Sequence, residues 1–364
     1  MDNSELMNRA IELAEKGRGS TKPNPMVGAV VVNEEGKIVG EGFHENYGGP
    51  HAEVVAIENA EDRGAGSKLV VTLEPCCIRG KTQACTDLIK SSGVREVVIG
   101  SLDPNPNVNG RGVEDLRSAS IKVSVENGFS SKIAKQNEIF FKYITSKRPF
   151  VISKLAITLD GSIAATKGSL TRLSSSDADI FVHNLRDELD SIMIGIDTLI
   201  VDDPLLTSRL RGRNTVNPSR IIVDTHARIP DESVVIKTLE AAPIFLAVSS
   251  EADEIRLRQL KEMGVKIIKI SGDDDHLDLN ELLGRLGELG ISSILLEGGQ
   301  RLFTSFLEKE LIDKFVFIIT PTLMGGSKKV GLLDVREELS KRVKYTSARQ
   351  LGDDIIVECY PLLN

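Results

Sequence analysis

Three side chains constrain this chain more than anything else in it: His51, Cys76 and Cys85, with Glu53 two residues after the histidine. A histidine and two cysteines are good zinc ligands, and a zinc with three protein ligands keeps a fourth position open for water. Glu53 is placed to move protons rather than to bind metal. The surrounding pattern supplies the elements. Leu6, Ala10, Leu13 and Ala14 have helical spacing over residues 4–16, after a cap at Ser4. Residues 27–32 form a continuous apolar, β-prone run, and 51–60 read as a helix that opens on His51 and Glu53. A strand over 69–73 delivers Glu74-Pro75-Cys76, a helix follows at 86–92, and a strand at 94–99. Both metal segments therefore lie at a strand end or a helix N-terminus, where open α/β sheets place their ligands.

Cysteine usage supports the metal reading. Cys76, Cys77 and Cys85 are clustered, which favours metal binding in a reducing cytosol over a disulfide framework. Cys77, next to a ligand, reads as a bystander, and Cys359 as core in a C-terminal strand pattern. At 364 residues the chain is long enough for two domains. Arg148-Pro149 separates a basic helical stretch ending near Phe141 from a fresh strand at 150–156, which places the domains at 1–146 and 147–364. The second half alternates strands, near 191–196, 219–224, 243–248, 265–270, 292–297 and 314–320, with helices. A net charge of −8 argues against a general basic surface for nucleic acid or membranes, and aromatics at 4% leave few stacking surfaces for bases. No apolar run approaches the roughly 20 residues that span a bilayer, and the N-terminus lacks a signal-peptide profile. The expectation is a cytoplasmic α/β protein.

His-x-Glu followed by Pro-Cys and a later Cys is the ligand pattern of zinc deaminases of nucleobases and nucleotides, although eight residues rather than two separate the cysteines here. Asn24-Pro25-Met26-Val27-Gly28, Gly48-Gly49-Pro50-His51-Ala52-Glu53, Thr72-Leu73-Glu74-Pro75-Cys76, Gly80-Lys81-Thr82 before Cys85, and Asp103-Pro104-Asn105-Pro106 together resemble the deaminase domain of the bifunctional riboflavin-biosynthesis deaminase/reductases. The resemblance implies a cytidine-deaminase-like α/β/α fold and one zinc ion per chain, and a longer inter-cysteine loop is that family's habit. It also implies substrate contacts from Asn24, His44, Lys81 and Thr82. On chemistry alone, Lys81-Thr82 is either a phosphate grip or an ordinary turn. The chain departs from the family inside that loop, with Cys77-Ile78 in place of Ser-His and Thr82-Gln83-Ala84-Cys85 in place of Thr-Pro-Pro-Cys.

The second half carries the resemblance onward in Arg148-Pro149-Phe150, Thr158-Leu159-Asp160-Gly161, Gly195-Ile196-Asp197-Thr198-Leu199, Asp202-Asp203-Pro204-Leu205-Leu206-Thr207 and Glu297-Gly298-Gly299. It implies a dihydrofolate-reductase-like α/β domain that binds NADPH, with NADH left open. Implied cofactor contacts are Ala156, Thr198, Asp202, Thr225 and the turn of Gly298, Gly299, Gln300, Arg301 and Leu302. Implied substrate contacts are Leu206, Arg209 and Glu297. Read as residues, Gly298-Gly299 is either an ordinary strand-to-helix turn or a place where backbone N–H groups face a pyrophosphate. Arg209 suits a phosphate because its fork pairs bidentately. Arg211 and Arg213 read as a solvated loop, with the cofactor's 2′-phosphate as their other possible partner. Arg172-Leu173-Ser174-Ser175 looks like the stand-alone archaeal and fungal reductases, which leaves the order of the two reactions open. No residue stands out as the proton donor for the reduction.

The resemblance thus implies zinc-dependent deamination of 2,5-diamino-6-ribosylamino-4(3H)-pyrimidinone 5′-phosphate and reduction of the ribosyl chain to ribityl. The expected partners are small phosphorylated pyrimidines and a second copy of the chain in a homo-oligomer, with no nucleic acid and no membrane. The rival readings are a tRNA or other nucleic-acid deaminase with an appended domain, and a protein in which one domain only scaffolds the other.

Overall fold

The computed structural model describes residues 1–61, 66–78, 83–210, 212, 215–272, 276–334 and 339–362. The chain divides into two compact units, Met1–Lys147 and Arg148–Asn364. The helices and strands of the first unit are α1 (Asn3–Glu15), β1 (Gly28–Val32), β2 (Ile38–Phe43), α2 (Ala52–Ala60), β3 (Lys68–Val71), α3 (Cys85–Ser91), β4 (Glu96–Ile99), α4 (Arg111–Ser118), β5 (Lys122–Val125), α5 (Ser130–Gln136) and α6 (Glu138–Ser146). Its sheet has the order β2-β1-β3-β4-β5, with β1 antiparallel to both neighbours and β3, β4 and β5 parallel.

The first helix begins two residues earlier than the expected serine cap. Asp2 is the N-cap: its carboxylate accepts from Glu5 N at 2.8 Å while the Glu5 carboxylate accepts from Asp2 N at 3.0 Å. Such a reciprocal box satisfies two otherwise orphaned donors, which a lone Ser4 could not. Strand β1 is apolar throughout because both its faces are covered. Val30 and Val32 pack under Leu6, Met7 and Ala10 of α1, whereas Ala29 and Val31 pack under Ala52, Ala56 and Ala60 of α2. The unit is therefore an α/β/α sandwich. Small residues let α2 lie almost on the backbone of β2: a Cβ at Gly40 would sit 2.1 Å from Ala56 O, and one at Gly42 2.5 Å from Ala52 O. That close approach fixes where the helix, and hence His51 and Glu53 at its start, sits over the sheet.

The second unit comprises β6 (Phe150–Thr158), β7 (Ser162–Ala164), α7 (Ser176–Glu188), β8 (Ser191–Gly195), α8 (Ile196–Asp202), β9 (Ser219–Val223), α9 (Val234–Lys237), β10 (Ile244–Ser249), α10 (Glu254–Glu262), β11 (Lys266–Ile270), α11 (Leu279–Glu288), β12 (Ser293–Glu297), α12 (Gln300–Glu308), β13 (Lys314–Thr320), β14 (Val330–Gly331), β15 (Val343–Leu351) and β16 (Asp354–Pro361). The large sheet runs β11-β10-β9-β8-β12-β6-β13-β16-β15. It is parallel from β11 through β13, and β16 and β15 close it antiparallel. β12 enters between β8 and β6, so the strand order reverses there. Such a reversal opens a crevice outside the carboxyl ends of the strands. Leu282, Leu283, Leu286, Phe303 and Phe306 cover one face beside the buried Cys359, and Ile192, Ile194, Ile222, Leu246 and Leu257 belong to the core of the other. Among the described residues no helix is long and apolar enough to cross a membrane.

Candidate functional site

In the first unit the ligand types meet. One ligand atom each from His51, Cys76 and Cys85 lies within 4.8 Å of the others. His51 is the N-cap residue of α2, Cys76 follows the end of β3, and Cys85 opens α3. The imidazole presents Nδ1 to both sulfurs, at 3.1 Å from Cys85 Sγ and 3.5 Å from Cys76 Sγ. Hydrogen bonding from Cys85, with help from His51, draws the Cys76 thiol down to about 4, and the same sharing pushes Cys85 up. A bound dication is what would let both thiols ionise. Donor set, spacing and mixed burial fit zinc, whose common ligands are thiolate and imidazole.

Glu53 lies in the first turn of α2 and is buried, and burial raises its carboxyl to about 7. His44, also buried, stands edge-on to His51 with ring centroids 5.4 Å apart. Its Nδ1 lies 2.9 Å from Pro50 O, which identifies Nδ1–H as the donor and leaves Nε2 to accept from Asn24 Nδ2 at 3.3 Å. Burial lowers the His44 pKa, which keeps that neutral tautomer. The structure thus brings Asn24 and His44 to the triad. Lys81 and Thr82 lie outside the described residues. Cys77 stays out of the triad.

Two supporting residues escaped the sequence reading. The buried Glu74 carboxylate accepts from Gly110 N at 2.9 Å and from Asp103 N and Val113 N at 3.2 Å each. It satisfies donors at the start of α4 and locks the strand end that carries Cys76. Gly112 completes the fit, since a Cβ there would sit 2.3 Å from Pro75 O. Buried Asn137 pairs with both backbone groups of Met26, at 2.7 and 3.0 Å, and so steadies the segment carrying Asn24.

The second unit has a cavity of about 1040 Å³ at the carboxyl ends of β6, β8, β9 and β12. Its lining includes Ala156, Thr198, Asp202, Thr225, Gly298, Gly299, Gln300, Arg301 and Leu302, together with Leu206 and Glu297. Arg209 is not among the lining residues. Arg211 and Arg213 lie outside the described residues. Gly299 caps α12 without a side chain, so the helix N-terminus opens on the cavity, and its own N–H donates to Thr198 Oγ1 at 3.0 Å. An uncapped helix N-terminus in a cavity of this size fits a dinucleotide pyrophosphate. Leu206 holds a left-handed φ of 53° while fully packed, a strained conformation for a bulky residue at the cavity wall.

The charged end of the cavity was not legible in advance. Glu297 accepts two parallel bonds from Arg186, both at 2.9 Å, and pairs with Lys154 at 3.2 Å. All three are shielded, with side-chain exposures of 12% for Glu297 and Arg186 and 16% for Lys154. Burial alone would raise the Glu297 carboxyl, but Lys154 and Arg186 outweigh it and hold it at about 2. Such charge-assisted pairs need this geometry to offset desolvation.

The chain is similar to known proteins along nearly its whole length. Residues 1–101 match the model of the cytidine and deoxycytidylate deaminase zinc-binding region, and residues 149–357 match that of the RibD C-terminal domain. The riboflavin biosynthesis protein RibD of Aquifex aeolicus is 42% identical over 96% of each chain. The solved structure of Acinetobacter baumannii RibD superposes with a TM-score of 0.89 at 32% identity, over 99% of both chains. That of the Thermotoga maritima diaminohydroxyphosphoribosylaminopyrimidine deaminase/5-amino-6-(5-phosphoribosylamino)uracil reductase does so with a TM-score of 0.83 at 36% identity, again over 99% of both.

Proposed function

From the premise that the chain belongs to the RibD family of bifunctional riboflavin-biosynthesis deaminase/reductases, we propose how its residues divide the two reactions. The enzyme joins a zinc-dependent deaminase to an NADPH-dependent reductase. His51, Cys76 and Cys85 would hold the zinc. Bound there, it supplies the Lewis acidity that makes water nucleophilic near neutral pH. Glu53 takes the water proton on its carboxylate and returns it to the departing amine. Burial keeps its pKa close to the working pH, where a proton shuttle is most effective. Asn24 and His44, fixed to each other and to Pro50, bind and orient the pyrimidine, and Lys81 and Thr82 hold its phosphate.

In the second unit the α12 N-terminus and Thr198, Asp202, Thr225 and Ala156 bind NADPH, which supplies hydride. Glu297 is ionised at every physiological pH, so it is no proton donor. Its role is to accept a hydrogen bond from the substrate and to hold Lys154 and Arg186 in place. Arg209 grips the substrate phosphate. Arg186 lies near enough to lower the Arg209 pKa, after burial the largest cause, and an anion is what relieves two crowded guanidinium groups. The Thermotoga maritima relative is a 5-amino-6-(5-phosphoribosylamino)uracil reductase, and because a uracil carries oxygen where the diaminopyrimidinone carries an amine, we assign this chain deamination before reduction. We place it in the cytoplasm, in keeping with clustered cysteines that form no disulfide, and take it to act as a homo-oligomer.

The observation that carries the reading is the His51–Cys76–Cys85 triad with buried Glu53 beside it. The test is to incubate the enzyme with each pyrimidine intermediate, with and without NADPH, and to weigh the products. The diaminopyrimidinone should exchange an amine for oxygen without NADPH, and only the deaminated product should then gain hydrogen. Reduction of the diamino compound ahead of deamination would overturn the assigned order.

A further inference from the structure

The residue proposed to grip the phosphate is itself held by another element. Helix α7 makes three hydrogen bonds to the segment 207–209. Arg186 Nη1 donates to Thr207 O at 3.3 Å, Ser208 Oγ donates to His183 O at 3.0 Å, and Arg209 N donates to His183 Nδ1 at 3.3 Å. Arg209 then folds its guanidinium against Thr207, with Nη1 3.0 Å from Oγ1. His183 thus pins residues 208 and 209 with its backbone and its ring together. An imidazole can accept at Nδ1 only while it is neutral and carries its proton on Nε2.

We infer that His183 is a positioning residue for the reductase substrate: by accepting the Arg209 N–H it aims that guanidinium at the phosphate, and its protonation releases the grip. The inference rests on the reading of Arg209 given above. The groups that face the ring agree with it. Burial, then Arg186 on the same helix and Arg209, oppose a charge on His183, Glu297 and Asp179 favour one, and the net effect lowers its pKa below the ordinary histidine value. The ring is therefore neutral at pH 7.5, and the bond is lost only as pH falls through that lowered folded-state value.

The test uses the full-length enzyme with NADPH and the phosphorylated uracil substrate. His183→Ala should raise KM for that substrate several-fold at pH 7.5, with kcat and the NADPH Kd within about twofold of wild type. His183→Asn, whose Oδ1 can stand where Nδ1 stood, should restore KM. Wild-type KM, divided by that of His183→Asn, should then climb several-fold as pH is taken from 7.5 down to the acid limit of the folded enzyme's stability. The substrate phosphate titrates in the same range but affects both proteins equally. A flat ratio, or an Ala variant with unchanged KM, overturns the inference. Arg209→Gln, assayed alongside, separates the two claims. If it leaves KM untouched, the phosphate assignment itself fails, whereas a raised KM there beside an unaffected His183→Ala sinks only the positioning role. Thermal melts of both His183 variants exclude misfolding as the cause.

Discussion

The zinc triad takes its ligands from two short stretches of chain, at the start of α2 and around the β3–α3 connection. The cavity of the second unit takes its lining from the carboxyl ends of four strands and the turns after them, with lining residues spread from 154 to 330. In the first site chemistry is concentrated in a few side chains whose type fixes the role, and the surrounding fold, through Glu74 and Gly112, holds them still. In the second, backbone groups at a helix end and a buried ion cluster line the cavity, and no single side chain declares the reaction. A compact centre should therefore fail abruptly when one group is changed, and a distributed one by degrees.

The sharpest way to break that contrast is Glu53→Gln. It removes the proton carrier and no ligand, so deamination should fall by about 10²–10⁴, with zinc content by elemental analysis and NADPH oxidation in the reductase assay both unchanged. Deamination at near wild-type rate would show that proton transfer is not concentrated in this carboxylate.

The second unit's nearest equivalent to a single indispensable group is Glu297. Glu297→Gln leaves Lys154 and Arg186 shielded without their anion, which costs on the order of 3–5 kcal/mol for a buried pair. Urea unfolding of the reductase unit at pH 7 should show it. The sign with pH follows from a folded-state value of about 2, below the roughly 4.3 of an unfolded glutamate. The stabilisation is fully present above the unfolded value and is lost as pH falls through the folded one. The wild-type advantage over the variant should thus shrink between pH 4.3 and 2, and a gap constant across that window would remove Glu297 from the charge cluster.

Arg209→Lys should have the smallest effect. An ammonium cannot reproduce the guanidinium fork, so KM for the phosphorylated substrate should rise about tenfold, the equivalent of roughly 1.5 kcal/mol. NADPH affinity by fluorescence titration should not move. If cofactor binding weakens and KM does not, Arg209 serves the other ligand.

Much of this was legible in the sequence, for reasons visible in particular residues. His51, Cys76 and Cys85 announce themselves because few residue types bind zinc. The strands of the second half announce themselves because a parallel strand covered on both faces is a continuous apolar run, as in Ile244–Ser249. Strand β2 escaped because glycines at 40 and 42 weaken a strand's sequence signal, whereas their bare backbone is what α2 packs against. Lys154 and Arg186 escaped because charged residues in isolation imply solvent. Only the fold reveals that Glu297, far along the chain, is their shared partner.

The late arrival of β12 gives the two catalytic centres different birthdays. Every zinc ligand has been synthesised once Cys85 has been added, but β8 and β6 wait for a strand that pairs Ser293 with Phe150 and Ile294 with Ser191. At 5–20 residues per second, the interval on the ribosome is roughly ten to forty seconds. During it the nascent chain carries every zinc ligand and completes the fold around them, while the strands that will frame the pocket of the second unit still lack their central neighbour. A shortage of metal would be felt early in synthesis, whereas a truncated message would yield a chain with its deaminase residues complete and no reductase at all.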